Sequence, residues 1–112
     1  MFNPSFGPIG EGTGAGVQIA NNLTSKTAAR EIIGNLNLSE SQLASALRTI
    51  SRATTNSTIS ISQKSGDLII QITRAGQNGY QVMESIITQG GSKTVVQVAY
   101  DAAGNMVHYH PK

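Results

Sequence analysis

Ser57-Thr58-Ile59-Ser60-Ile61-Ser62 places an apolar side chain at every second position between hydroxyls. A period of 2 is the signature of a half-buried strand, whereas the residues before Ser57 repeat at helical spacing. The change of period at Ser57 divides the chain into a helical part and a sheet. Going forward, Ser65-Gly66-Asp67 reads as a turn, and Leu68 to Thr73 as a second strand with Leu68, Ile70 and Ile72 on one face. Gly76-Gln77-Asn78-Gly79 holds the Asn-Gly hairpin signal and leads into a third strand from Tyr80 to Thr88. Gln89-Gly90-Gly91-Ser92 turns the chain into Thr94 to Tyr100, and Asp101-Ala102-Ala103-Gly104-Asn105 turns it into Met106 to His110. These signals predict antiparallel strands near 57–63, 67–75, 79–88, 94–100 and 106–110, a meander of four to five strands.

Going backward from Ser57, a helix is expected from about 40 to 53. Ser39-Glu40-Ser41-Gln42 has capping-box spacing, with Gln42 able to reach back to the Ser39 amide. Leu43, Ala46, Leu47 and Ile50 form the apolar stripe, with Arg48 and Arg52 on other faces, and Thr54-Thr55-Asn56 breaks the helix. An earlier helix is expected near 25–34, capped by Thr24 or Ser25, with Ala28, Ile32 and Ile33 apolar and Gly34 at its end. Residues 1–16 hold five glycines and two of the three prolines, and read as a flexible lead-in. The expectation is therefore α+β: N-terminal helices packed on an antiparallel meander, in one domain over residues 17–112.

The chain has 112 residues, which suits one domain with a modest core. There is no cysteine, so disulfides and thiolate metal sites are excluded. No run of 18 apolar residues occurs, and the first 16 residues lack the basic-then-apolar pattern of a signal peptide. Eight Lys and Arg against six Asp and Glu leave a net charge of +2, compatible with a phosphate-bearing partner. No nucleotide-binding loop, zincin helix, EF-hand or nucleophile elbow is present, and Gly10 to Gly16 lacks the strand before and the Lys-Ser or Lys-Thr after that a phosphate cradle needs.

Both histidines lie in Met106-Val107-His108-Tyr109-His110-Pro111-Lys112. Alternation puts His108 and His110 on one side of the last strand, expected to face solvent, and Val107 and Tyr109 on the other, expected to face the core. Three readings are open: ordinary surface histidines, a His-x-His metal chelate with no third ligand such as Glu84 or Asp101 placed beside it, or an acid–base pair, histidine having an ordinary pKa near neutrality. Lys64, Arg74, Lys93 and Thr94 cluster around the turns and suit phosphate oxygens. With Val96 and Val98 inward, Gln97 is expected outward, as are Gln71 and Thr73 on the second strand. Tyr80 and Tyr100 are candidates for stacking on a base, and Glu84 for a second base.

Gly79-Tyr80-Gln81-Val82 through Lys93-Thr94-Val95-Val96-Gln97, then Tyr100-Asp101-Ala102-Ala103-Gly104-Asn105-Met106-Val107-His108-Tyr109, resembles the closing segment of bacterial polymorphic toxins, including the C-terminal domains of contact-dependent growth inhibition proteins. Helices followed by an antiparallel sheet are also similar to the fold shared by barnase, EndoU, tRNA-cutting colicins and RelE. The resemblance spans roughly residues 40–112. It implies a metal-independent RNA endonuclease acting on tRNA or rRNA, without cofactor, secreted or surface-delivered as the end of a larger protein. Such a toxin acts in the target cell's cytoplasm and is blocked at home by a cognate immunity protein. It further implies proton transfer by His108 and His110, charge stabilisation by Arg74, Lys93 and Lys64, and hydrogen bonds to phosphate from Thr94 or Tyr109. Tyr80 and Gln97 become RNA contacts on the same reading. Barnase-like sites pair Glu with His, which makes Glu84 the candidate partner. A non-enzymatic immunity or adaptor module and a DNA-acting toxin are the rival classes.

Overall fold

The computed structural model describes residues 16–111. Strand β1 (Val17–Leu23) is followed by helices α1 (Lys26–Gly34) and α2 (Glu40–Ser51). Five further strands then run in sequence: β2 (Ser57–Lys64), β3 (Asp67–Ala75), β4 (Gly79–Ile87), β5 (Lys93–Asp101) and β6 (Met106–Pro111). All six strands pair antiparallel in the order of the chain, one sheet from β1 to β6. The α+β class and the meander are as expected. The added strand is β1, which raises the expected four to five strands to six. Its sequence hides it because the pairing with β2 slips twice, between Gln18 and Ala20 and between Ala20 and Leu23, with Asn22 at a φ of 53°. Those irregularities break the alternation by which a strand is recognised. Of the expected lead-in, residues 1–15 lie outside the described residues. Among the described residues no helix is long and apolar enough to cross a membrane.

Local chemistry accounts for the helix ends. Ser25 caps α1 by accepting from the Ala28 amide at 3.1 Å, and Ser39 caps α2 by accepting from the Gln42 amide at 3.1 Å. The Gln42 side chain does not complete a capping box. It turns inward instead, and its Nε2 donates to the carbonyls of Gly66 at 2.9 Å and Ile87 at 3.0 Å. A buried amide thus ties the start of α2 to the β2–β3 turn and the end of β4, and the Ser39 hydroxyl donates to the Gln89 carbonyl beside it. At the β2–β3 turn both central residues, Ser65 and Gly66, have positive φ, the backbone of a tight two-residue hairpin. Asn78-Gly79 marks its hairpin correctly but for another reason. Gly79 is already strand, and a Cβ there would fall 1.9 Å from the Tyr100 carbonyl oxygen.

The helices pack on one face of the sheet. Ala29 and Ile33 of α1 and Ala46 and Ile50 of α2 join Ala53, Ile59, Ile61, Leu68, Ile70 and Ile87 in the main core. α1 lies on β1, and α2 on β3 and β4. A smaller cluster, Val82, Val98 and Tyr100 with Tyr80 and Val96, occupies the opposite face, where the Tyr80 and Tyr100 rings stack at 4.8 Å.

Candidate active site: an open basic cleft

Side chains directly opposite each other on paired antiparallel strands share a face. Register therefore assigns every candidate to one side of the sheet. One transverse row on the helix-bearing face reads Arg74, Gln81, Ala99, His108, and the next reads Ile72, Met83, Gln97, His110. A third contains Ile70, Ser85 and Val95, and a fourth Leu68, Ile87 and Lys93. The helices meet β5 at Lys93 and stop short of β6, so the far end of this face is left open. There α2 ends at Ser51 and Arg52 caps it. Between that end and the sheet lies a cleft of about 190 Å³, with Ile72, Met83 and Val95 as an apolar floor and Arg52, Arg74, Lys93, Gln81, Gln97 and Thr49 among its walls.

The histidines belong to this open face and are exposed, as expected, whereas Val107 and Tyr109, expected to face the core, are exposed as well. His108 and His110 extend the helix-bearing side and Tyr109 continues the opposite side, while Val107 sits at the register shift without a partner on β5; Val107 and Tyr109 are 60% and 55% exposed. Every residue of β6 is exposed because the strand lies beyond the helices. The two imidazoles meet edge to face with centroids 3.9 Å apart. Between His108 and Gln81 stands only Ala99, whose methyl group leaves the row open above it.

Cations gather at the other end of the cleft. Lys93 is half-buried, and its Nζ reaches the Thr49 hydroxyl at 3.4 Å. Burial first, and then the positive charges of Arg52 and Arg48, hold the Lys93 ammonium below the usual lysine range. No carboxylate pairs with Arg52, Arg74 or Lys93 among the described residues. Positive groups held close without a counter-charge favour an anion in the space they surround. Arg74 donates from Nε and Nη2 to Gln81 Oε1 at 3.0 and 2.9 Å, and Gln97 Nε2 approaches the same oxygen at 3.5 Å. With adjacent strands about 4.8 Å apart, the row from Arg74 on β3 to His108 on β6 spans about 14 Å.

Of the expected residues, Arg74, Lys93 and Gln97 line the cleft, and His108 and His110 lie on the same face beyond it. The cleft does not bring in the others. Thr94 opposes Ile86, Tyr80 opposes Tyr100 and Tyr109 opposes Val98, all on the opposite face, while Lys64 sits beside the β2–β3 turn opposite Asp67. Gln97 is a wall of the helix-side cleft rather than an outward residue, because Val96 and Val98 serve the smaller cluster and not the main core. Gln71 is likewise not at the solvent surface. It is buried and donates to Glu84 Oε2 at 3.1 Å, and the Thr73 hydroxyl is buried without a partner.

Glu84 and the histidines do not meet: Glu84 shares its row with Gln71 and Val96, on the far side of the sheet. Burial pushes its carboxyl up to about 7, partly offset by the Gln71 hydrogen bond. Among the described residues no three His, Cys, Asp or Glu side chains converge. Two members of the cleft, Arg52 and Gln81, were not singled out from sequence. Gln81 was legible in principle, since it alternates with Met83 and stands two residues from it, on the same face. Arg52 was not, because its place depends on how α2 crosses the sheet. No protein-family model, curated protein or solved structure matches this chain.

Proposed function

We propose that this chain is an RNA endonuclease toxin domain that cuts tRNA or rRNA by attack of the ribose 2′-hydroxyl on the adjacent phosphate. One observation carries the reading: a cleft lined by Arg52, Arg74 and Lys93, with no carboxylate partner among the described residues, shares the open part of the helix-bearing face with the only two histidines. In the reaction the 2′-oxygen forms a bond to phosphorus as the bond to the 5′-oxygen breaks, which leaves a 2′,3′-cyclic phosphate and a free 5′-hydroxyl. One imidazole accepts the 2′ proton and the other donates a proton to the departing 5′-oxygen. Arg74, Lys93 and Arg52 stabilise the negative charge that grows on the phosphoryl oxygens. Arginines and a lysine in this role need no divalent ion, and the proposed mechanism is metal-independent.

Delivery as the end of a larger secreted protein, and neutralisation by an immunity protein with an acidic face, follow from the same reading. Incubation of the purified chain with total RNA in chelator tests it. RNA fragments ending in cyclic phosphate are expected, and intact RNA at high enzyme concentration rules the activity out. A second reading, a module that only binds protein, draws on the exposed Met106, Val107 and Tyr109 of edge strand β6. It predicts intact RNA in that experiment.

A further inference from the structure

We propose that the open cleft seats one unpaired nucleotide, its base edge on Gln81 and Gln97 and a phosphate on Lys93 and Arg52. This deepens the ribonuclease reading and rests on it for RNA as the class of ligand.

The polarity of the two amides is set by Arg74. A guanidinium has only donors, so the Gln81 atom that faces it at 2.9–3.0 Å is the carbonyl oxygen. That oxygen also faces Gln97, which must turn its Nε2 toward it. Gln81 Nε2 and Gln97 Oε1 are then left without partners among the described residues, a donor beside an acceptor in the wall of a cleft. The Watson–Crick edge of every base offers the complement, an acceptor next to a donor. In a duplex those atoms are already engaged, so only an unpaired base presents them.

The rest of the cleft agrees. Ile72, Met83 and Val95 form an apolar floor suited to the flat face of a heteroaromatic ring. A space of about 190 Å³ is on the scale of a single base. Lys93 and Arg52 stand at the α2 side of that floor, and His110 is the strand neighbour of Gln97 on the other side.

The test is fluorescence anisotropy with a labelled single-stranded RNA carrying 2′-fluoro groups, and with the same strand annealed to its complement. The fluoro probe lacks the attacking hydroxyl, so binding is read whether or not the chain cuts RNA. The single strand is expected to bind at least about tenfold tighter than the duplex. Gln97→Ala should weaken the single strand by about tenfold while leaving the duplex unchanged, in line with the loss of a base-edge contact. Lys93→Ala should lower the salt slope of binding by about 1. Equal affinity for single strand and duplex, no loss on Gln97→Ala in a variant folded by circular dichroism, or equal displacement of the probe by polyglutamate would each overturn the inference. A chain that binds the probe as expected but leaves total RNA intact keeps this inference and loses the ribonuclease reading.

Discussion

One face of the sheet is built in two ways. Over β2 and β3 it carries Ile59, Ile61, Leu68 and Ile70, all buried beneath α1 and α2. Beyond the buried Ser85 and Ile87 of β4, the same face carries Gln81, Met83, Lys93, Gln97, His108 and His110, half-buried or exposed. Strand alternation runs through both halves, with one irregularity between β5 and β6 at Ala99 and Tyr100. What differs is the cover: twelve residues of α2 are about 18 Å long, and its packing is on β3 and β4. Apolar side chains on the uncovered half would lie in water, so polar and charged groups take those positions. A face that is core at one end is thereby a binding surface at the other.

The two halves should answer mutation in opposite currencies. The largest expected effect is on activity in the open half: His108→Ala should slow RNA cleavage by ~10²–10⁴-fold, read as single-turnover rates on total tRNA and rRNA, as expected for removal of a positioned proton carrier. Thermal melting of that variant should match the unaltered chain, and full activity would move proton transfer away from His108. In the covered half Ile70→Ala should cost about 2–5 kcal/mol in urea unfolding, because it opens a cavity under the helices. A loss below about 1 kcal/mol would mean that the helices do not seal this half.

The opposite face adds a third contrast through Glu84. Its carboxyl is raised from the ordinary 4.5 to about 7, so the folded chain keeps the proton over a range where the unfolded chain has lost it. Stability from this group is full below about 4.5 and falls as pH rises toward about 7, a loss on the order of 3 kcal/mol. Glu84→Gln should flatten this part of the pH profile in urea titrations between pH 4 and 8 and stabilise the chain at neutral pH. An unchanged slope in the variant would assign the pH dependence to other groups. Smallest of all, Gln97→Ala in the open half should change unfolding free energy by no more than about half a kcal/mol, however strongly it affects ligand binding.

Much of this arrangement was legible in the chain itself. The change of period at Ser57, the turns at Ser65-Gly66, Asn78-Gly79 and Asp101 to Asn105, and the serine caps specify two helices and the five strands β2 to β6, because each depends on neighbours a few residues away. The pairing of His108 with His110 on one side of β6 was equally local, a consequence of alternation alone. Which side that is could not be read from β6. Val107 and Tyr109 look like the inward pair by hydrophobicity, but the side is decided by register through four strands, from Ile72 to Met83 to Gln97 to His110. The same register separates Glu84 from the histidines and moves Thr94, Tyr80 and Tyr109 out of the cleft. Strand β1 escaped because its bulged pairing erases the period. Arg52 and Gln81 join the site only through the angle at which α2 crosses the sheet and the point where it ends. Sequence determines which side chains share a face of one element. Packing between elements distant in the chain decides which faces meet, and here that alone separates the covered core from the open cleft.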